Sequence, residues 1–277
     1  MFRRLKIKWL VRREKAVDIW SKSAYPADVL SNLSNNSFCF DGIACGSMEG
    51  FLQSLKYKDT DKQRQICGMP GKEAKKMSVS GWQRDHIVWW KGRAIDRLSK
   101  TFIKHVKRAY WEMFIQNKHF RAALTSTRGM KIFHSKGVQD PCKTILTGQE
   151  FCDILIKTLE RFDRYYYGPA LRLLTRVDYS SFVTQLIERN RWSNSVDFVG
   201  PSTQNGKMVS FGIGMLPNGH GYRERFEYNL DVFMELMADV VQAQMNTHPL
   251  KKEEYNVLYQ RLCNYVESES DWRSDGA

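Results

Sequence analysis

The sequence predicts a mainly α-helical fold with short β-hairpins, which belongs to the α+β class. Apolar residues recur at helical spacing in several segments, and Asp41-Gly42 lies between two short apolar runs, as a hairpin turn does. The strand–helix alternation of a parallel sheet is absent. With 277 residues, 42% of them apolar, the chain is long enough for one large domain or for one domain and a substantial extension.

The positive charge of the chain is unevenly distributed. Residues 1–160 carry 30 basic and 15 acidic side chains, whereas residues 161–277 carry 13 and 15. A basic half beside a nearly neutral half indicates that the first half binds an anion, such as a phosphate or a nucleic acid. A basic composition that serves only solubility is the alternative interpretation.

Cysteine spacing and hydropathy favour a cytoplasmic protein with reduced thiols. The six cysteines form no C-x-x-C pair and no matched spacing with histidine, so we expect neither a zinc site nor a disulfide framework. No segment approaches the ~18 apolar residues of a membrane span. The basic N-terminus lacks the apolar core and cleavage site of a signal peptide, and we expect no contact with a membrane.

The N-terminal 22 residues combine eight basic side chains with Trp9 and Trp20. We expect a strand or a short helix here that packs on the body of the protein, since two tryptophans are costly to leave in water. A polar loop then leads from Leu30 to the hairpin at Asp41-Gly42. The hairpin delivers the chain to a helix over residues 47–58.

This helix is the segment around which the first half is organised. Ser47 is a suitable N-cap, and an apolar face follows at helical spacing: Met48, Phe51, Leu52 and Leu55. A second stripe contains Glu49, Gln53 and Lys56, at i, i+4 and i+7. The spacing establishes only that these three side chains share a face. A solvated face with a weak ion pair is the simpler interpretation.

Further helices are predicted over residues 72–77, 87–105, 108–124 and 147–159. Thr147 and Glu150 mark the start of the last of these, with a carboxylate in its first turn. Past Arg161 a break is predicted at residues 165–169. The remaining predicted elements are a helix at 179–189, strands at 196–199 and 207–211 joined across Gln204-Asn205-Gly206, and helices at 227–246 and 251–266.

Residues 30–160 contain an ordered set of short motifs that resembles the YbiA-like, or NADAR, family of N-glycosidases. The matching pieces are Leu30-Ser31-Asn32-Leu33-Ser34, Phe38-Cys39-Phe40-Asp41-Gly42, Ser47 through Tyr57, Ala74-Lys75-Lys76, Trp89 or Trp90, and Gln116-Asn117 with Leu124-x-x-Thr127. Each piece alone is weak, and the order is what makes the set specific. The resemblance implies a YbiA-like helical core in residues 1–162, with its basic N-terminal segment. The resemblance does not extend to residues 163–277, which we expect to form a C-terminal α+β extension packed on the core.

Two departures from the family pattern stand out. Gly50 replaces the histidine that usually follows the glutamate of the signature helix. The expected Asp-x-x-Trp-Gly segment is replaced by residues 139–144, in which Asp140 is the only candidate for the acidic residue.

The resemblance implies a role for each site residue. Glu49 would move the proton and Lys56 would attack the sugar carbon as a neutral amine. The implied substrate contacts are Gln53 with Asn32 or Asn35 at the ribose hydroxyls, Trp89 or Trp90 against the base, Lys75 at a phosphate, and Asp140. Structural interpretations compete with these, because tryptophan pairs are more often core residues, asparagines often form loops, and lysines are often solvated. No metal or cofactor is implied.

The function implied first is an N-glycosidase, a hydrolase that removes ADP-ribose from guanine bases of nucleic acid. The basic first half favours a polyanionic carrier, DNA before RNA, over a small metabolite. The second hypothesis keeps the fold and assigns a ribosyl-pyrimidine phosphate or a free ADP-ribose compound as substrate. The third is an inactive nucleotide- or DNA-binding module, which the two departures would suit. The oligomeric state is left open.

Overall fold

The computed structural model of the protein describes residues 2–189, 191–193, 197–201, 208–215 and 222–268. The chain divides into two compact units, residues 1–160 and 161–277. The predicted packing of the C-terminal extension on the core stays a prediction.

The first unit consists of helices with three two-stranded sheets. Its elements are α1 (Phe2–Arg12), β1 (Ala16–Asp18), β2 (Phe38–Phe40), β3 (Ile43–Cys45), α2 (Met48–Ser54), α3 (Thr60–Cys67), α4 (Gly71–Lys76), a 3₁₀ turn (Gly81–Gln83), β4 (Ile87–Trp90), β5 (Arg93–Asp96), α5 (Lys100–Gln116), α6 (Lys118–Thr125), β6 (Lys131–Phe133) and α7 (Gly148–Phe162). The predicted class, mainly α with short hairpins, is confirmed.

The second unit contains an antiparallel sheet and four helices among its described residues. Its elements are a π-helical turn (Asp163–Tyr167), α8 (Gly168–Leu174), α9 (Tyr179–Arg189), β7 (Trp192–Ser193), β8 (Phe198–Pro201), β9 (Met208–Met215), β10 (Tyr222–Asn229), α10 (Leu230–Thr247), a 3₁₀ turn (Pro249–Lys251) and α11 (Lys252–Ser268). The sheet order is β10-β9-β8-β7.

Three predictions for the second unit have different outcomes. The pairing of the two strands near 198 and 208 is confirmed, since β8 and β9 are antiparallel neighbours. The turn predicted at Gln204-Asn205-Gly206 lies outside the described residues. The break predicted at residues 165–169 was wrong, because α7 continues through the π-helical turn directly into α8.

The predicted hairpin at Asp41-Gly42 is confirmed. Strands β2 and β3 pair antiparallel, with Phe40 opposite Ile43. Asp41 and Gly42 both have positive φ, 48° and 79°, which is the conformation that a two-residue hairpin of matching twist requires. The turn therefore fixes the register that leads the chain into α2.

The predicted helix over residues 87–105 was wrong for its first half. Residues 87–96 form the hairpin β4–β5, in which Trp89 pairs with Ala94, and its turn residues Lys91 and Gly92 have φ of 49° and 75°. Side chains along β4 alternate between half-buried and buried, so the period is 2 rather than 3.6. A helix begins only at Lys100, capped by Ser99.

Helix α2 forms as predicted at its start but ends earlier. The Ser47 hydroxyl accepts from the backbone N–H of Gly50 at 2.9 Å, and the predicted apolar face is buried. The last helical residue is Ser54, with Leu55 as C-cap. Lys56 therefore follows the helix in a tightened turn, where its N–H donates to Gln53, and the predicted arrangement of Glu49 and Lys56 on one helix was wrong.

Gly50 of α2 lies directly against the last residues of α3. A Cβ atom at this position would lie 2.6 Å from the carbonyl oxygen of Cys67 and 3.0 Å from that of Ile66. Backbone atoms cannot move aside as a flexible side chain can. Glycine is therefore a packing requirement, and the histidine expected here from the resemblance has no room.

We expect Gly50→Ala to lower the free energy of unfolding of the first unit by about 1–3 kcal/mol, the usual cost of overpacking. Urea denaturation of the full chain measures this. Gly81→Ala is the matched control, because a Cβ there has no atom within 4 Å and φ is not positive, and it is expected to leave stability unchanged or slightly raised. Equal stability of Gly50→Ala and wild type would contradict the packing argument.

A parallel pair, β1–β6, joins the beginning and the end of the first unit. Val17 lies opposite Ile132, and both side chains are buried. Both oxygens of Asp18 accept hydrogen bonds from Ser135, one from its backbone N–H at 2.8 Å and one from its hydroxyl at 2.6 Å. Residues 19–22 and 134–136 are thus held next to each other.

Candidate active site

Residues that are distant in sequence line a cavity of about 460 Å³ in the first unit. They come from the segment after β1, the polar loop at 31–33, α2, α4, the segment after β6 and the start of α7. The aromatic, charged and amide side chains among them are Trp20, Lys22, Asn32, Glu49, Lys75, His134, Lys136 and Phe151. A cavity of this size suits a small organic ligand.

Glu49 is the carboxylate at this cavity. It lies in the first turn of α2 and is half-buried. Its backbone N–H donates to the carbonyl oxygen of Asn32 at 2.9 Å, and its Oε1 accepts from Nε2 of Gln53 at 2.8 Å. The first contact fixes the backbone of Glu49 and the second fixes one carboxylate oxygen, so Oε2 remains available to a ligand.

Asn32 is held by a buried tyrosine. The hydroxyl of Tyr110 donates to Oδ1 of Asn32 at 2.5 Å. Burial raises the pKa of Tyr110 well above its ordinary value, so the phenol remains a donor at every physiological pH. Because Oδ1 is occupied by this bond, the amide NH₂ of Asn32 is the group that a ligand in the cavity would meet.

Gln53 supports Glu49 rather than lining the cavity. It is 5% exposed, and its Nε2 is used in the bond to Glu49. Its Oε1 is buried and has no partner among the described residues.

His134 enters the cavity from the end of β6. Its Nδ1 lies 2.6 Å from the carbonyl oxygen of Ile19, and a carbonyl oxygen can only accept, so Nδ1 carries a proton. In the neutral ring Nε2 is then an acceptor. The imidazole edge packs against Phe151, with ring centroids 5.3 Å apart.

Three lysines give the cavity its positive charge. Lys22, Lys75 and Lys136 all line it, and the ammonium group of Lys136 lies 3.4 Å from the centroid of the Trp20 ring. Ammonium groups around a small polar cavity suit a phosphate. Of the three, only Lys75 was predicted from the sequence.

Lys56 is not among the residues that line this cavity. Its Nζ donates to the hydroxyl of Ser78 at 2.9 Å and lies 5.9 Å from the centroid of the Trp82 ring. Burial lowers the pKa of Lys56 to about 8, against the opposing effect of the Glu49 carboxylate. The amine is therefore partly neutral near neutral pH, which a nucleophilic amine requires.

The two predicted tryptophans lie on the β4–β5 hairpin, away from the cavity. Trp90 is 4% exposed, its ring packs against Phe40, and its Nε1 donates to Oδ2 of Asp41 at 2.9 Å. Trp89 is half-buried, with the ammonium group of Lys58 4.9 Å from its ring centroid. Trp90 is thus a core residue, in agreement with the structural interpretation of the tryptophan pair.

Asn35 and Asp140 are placed as loop residues. Oδ1 of Asn35 accepts from the backbone N–H of Gly71 at 3.2 Å, which ties the polar loop to α4. Oδ1 of Asp140 accepts from the backbone N–H of Cys142 at 2.9 Å, and Oδ2 lies 3.6 Å from Nζ of Lys143. Neither side chain lines the cavity.

The cavity residues that sequence reasoning missed are Trp20, Lys22, His134, Lys136 and Phe151. Two of them precede the segment on which the resemblance was based. The available signal was the basic, tryptophan-containing N-terminus, which was predicted to pack on the body but not to contribute to a site. Within the described residues, no three His, Cys, Asp or Glu side chains cluster as metal ligands, and no helix is long and apolar enough to cross a bilayer.

Comparison with known proteins gives three similarities. The family described as "Bacteriophage protein GP30.3" matches residues 24–160. The "Uncharacterized 17.1 kDa protein in Gp30-rIII intergenic region" of Enterobacteria phage T4 is 37% identical over 143 residues, which are 50% of this chain and 93% of that protein. The structure is also similar to the NMR structure of the E. coli protein YbiA. The match covers 60% of this chain and 91% of the YbiA chain, with 16% sequence identity and a TM-score of 0.39. Glu49 and His134 lie within the matched residues, whereas Trp20 and Lys22 precede them.

Proposed function

Because this chain belongs to the bacteriophage GP30.3 protein family, we propose that its Glu49 cavity hydrolyses an N-glycosidic bond. A NADAR/YbiA-like relationship is supported at the level of the family, and the N-glycosidase reaction is the proposal. The proposed substrate is an ADP-ribosylated guanine base in nucleic acid, DNA in the first place. The proposal is carried by one observation: a carboxylate that accepts a hydrogen bond from Gln53 shares its cavity with three lysines.

Hydrolysis of this bond needs a proton donor for the leaving nitrogen and a stabiliser for the sugar carbon that becomes cationic. Glu49 is the group assigned to proton transfer. In the overall reaction water supplies hydroxide to C1′ of the ribose and a proton to the nitrogen. The Asn32 amide is the group assigned to hold a ribose hydroxyl, and Nε2 of His134 is assigned as an acceptor for a hydroxyl or a water molecule.

The lysines of the cavity fit the phosphates of the proposed substrate. Residues 1–160 carry a formal excess of 15 positive charges, and phosphate contacts dominate the affinity of proteins for nucleic acids. A polyanionic carrier would therefore be attracted to this unit over distances of about a Debye length, roughly 8–10 Å at physiological salt.

The test of the substrate is a panel of three compounds incubated with the full chain. They are an oligonucleotide with ADP-ribosylated guanine, free ADP-ribosyl-guanosine and a ribosyl-pyrimidine phosphate. Release of ADP-ribose from the oligonucleotide in preference to the free nucleoside supports the proposal. Turnover of the ribosyl-pyrimidine phosphate alone would instead assign a small metabolite as substrate.

The amine mechanism is tested separately at Lys56. A Schiff base would form when the neutral amine attacks C1′ of the ribose and the base leaves with a proton as its C1′–N bond breaks. The C1′–O4′ bond then opens to give the protonated imine, and water hydrolyses it to release the ribose and restore the amine. With substrate present, borohydride is expected to inactivate the enzyme irreversibly, and the rate of this trapping should rise with pH and level off above about pH 8, where the amine is neutral. Lys56→Ala should abolish trapping, and Lys58→Ala, at an exposed neighbour, should not. Full activity of Lys56→Ala would contradict the amine mechanism.

A binding module without catalysis is the second candidate, and the position of Lys56 favours it. Lys56 does not line the cavity of Glu49, so the amine that the resemblance assigns to the attack on the sugar is not part of that site. Retained binding of the ADP-ribosylated oligonucleotide, without turnover of any of the three compounds, would support this alternative.

A further inference from the structure

A second, larger cavity of about 1,220 Å³ lies beside the Glu49 cavity. The two have Trp20 and Lys136 in common. The additional walls are α1, the residues around β1 and the loop at 23–27. Most of these walls precede residue 24, where the match to the GP30.3 family begins, so they lie outside the matched segment.

The lining of this cavity suits a flat aromatic ring. Ile7 and Val17 are buried and form part of its apolar wall. Two aromatic side chains stand at the same cavity: Trp20 is half-buried, and Tyr25 is 55% exposed. Aromatic side chains next to apolar surface are the usual platform for a nucleobase, because every base presents a flat π-face.

The charges at the cavity suit a phosphate attached to such a ring. Lys8 and Arg12 are exposed and one helical turn apart on α1, and Lys136 adds a third cation. Two acids also line the cavity. Asp18 uses both oxygens in its bonds to Ser135, and Glu14 is exposed to solvent. The three cations therefore outnumber the two acids, one of which is already engaged.

We propose that this cavity binds a second nucleotide unit, a base with its phosphate, next to the ribose in the Glu49 cavity. The proposal rests on the proposed function for the identity of the neighbouring ligand. Trp20 and Lys136 form the shared wall, with the ring of Trp20 toward the base and the ammonium group of Lys136 toward the linking phosphate. Two sources supply this chemistry: the adenosine half of ADP-ribose, and the adjacent nucleotide of a DNA strand.

Binding of AMP and of ribose 5-phosphate to the full chain, measured by calorimetry, tests the proposal without any turnover. Val11 lines the second cavity and not the first, and Val11→Trp should narrow the second cavity. We expect this variant to weaken AMP binding about tenfold or more, the order of one stacked base, and to leave ribose 5-phosphate binding within about twofold. Val257→Trp, at an exposed valine on another helix, should change neither.

A second variant keeps the test informative if Val11→Trp fails to fold. Arg12→Glu, at an exposed position, should weaken AMP binding but leave adenosine binding unchanged, because only AMP carries the phosphate. Unchanged AMP affinity in both variants, or competition of AMP with ribose 5-phosphate for a single site, would overturn the proposal.

Two further ligands identify the source of the nucleotide. Loss of ADP-ribose affinity in Val11→Trp assigns the cavity to the adenosine half, and loss of affinity for an unmodified dinucleotide assigns it to the neighbouring base of a strand. If the affinities for ADP-ribose and for the dinucleotide are both unchanged in Val11→Trp, the proposal is overturned. AMP binding that depends on Val11, in a protein that turns over none of the three test substrates, would leave this subsite standing while the proposed glycosidase activity fails.

Discussion

Glu49→Gln is expected to lower kcat/KM for the preferred glycosidic substrate by about 10²–10⁴-fold, the contribution of a positioned acid or base. Glutamine has nearly the same shape and keeps an oxygen that can accept the 2.8 Å hydrogen bond from Gln53. What it loses is the ability to give and take a proton. Thermal unfolding should therefore be nearly unchanged while the rate falls.

The matched control for this experiment is Glu73→Gln. Glu73 is an exposed carboxylate on α4, two residues from Lys75, and does not line the cavity. Its replacement should leave kcat/KM within about twofold, since removing one exposed charge changes long-range attraction only slightly. A Glu49→Gln enzyme that retains more than a tenth of the wild-type rate would contradict the role assigned to this carboxylate.

Glu150→Gln is expected to destabilise the first unit by about 3–5 kcal/mol, the cost of leaving a buried charge without its partner. The Arg97 side chain is 1% exposed, and its Nη1 and Nη2 donate to the two oxygens of Glu150 at 3.1 and 2.6 Å. Glu150 also forms a reciprocal cap with Thr147. The backbone N–H of Glu150 donates to the Thr147 hydroxyl at 3.1 Å, and the backbone N–H of Thr147 donates to Oε2 of Glu150 at 2.8 Å. One substitution therefore disturbs both the ion pair and the start of α7.

Urea denaturation of the full chain measures this loss when unfolding is monitored with a spectroscopic probe in the first unit. Glu160→Gln is the control, because Glu160 is exposed on the same helix, and it should cost about 0.5 kcal/mol or less. The double variant Arg97→Met/Glu150→Gln should recover part of the stability that Glu150→Gln loses, since it removes the unpaired charge. Additive losses in the double variant would show that the two side chains do not act as a pair.

The parts of the fold that the sequence predicted correctly depend on near neighbours. The Asp41-Gly42 turn, the Ser47 cap and the Thr147–Glu150 cap each involve residues within four positions of each other, and their side-chain chemistry is sufficient to specify them. Residues 87–96 show the opposite case. Their run of β-branched and aromatic residues matched a helical spacing by chance, and the Lys91-Gly92 turn lacks the common Asn-Gly signature.

The cavity could be predicted only in part, because long-range pairing brings its walls together. Glu49, Asn32 and Lys75 were found through motifs that lie close together in the chain. Trp20 and His134 meet only because β1 pairs with β6, and a three-residue parallel pair has no recognisable local pattern. The position of Lys56 was missed because an early helix end shifts every later residue off the face that periodicity assigns.

The β1–β6 pairing also determines when the site can assemble during synthesis. The contact between His134 and Ile19 closes a loop of 115 residues, and loop closures of this length are slow steps in folding. Trp20 and Lys22 can therefore join the rest of the cavity only after almost all of the first unit has left the ribosome. Folding of a nascent chain stalled before residue 131 should yield the α2–α5 core without a competent ligand site.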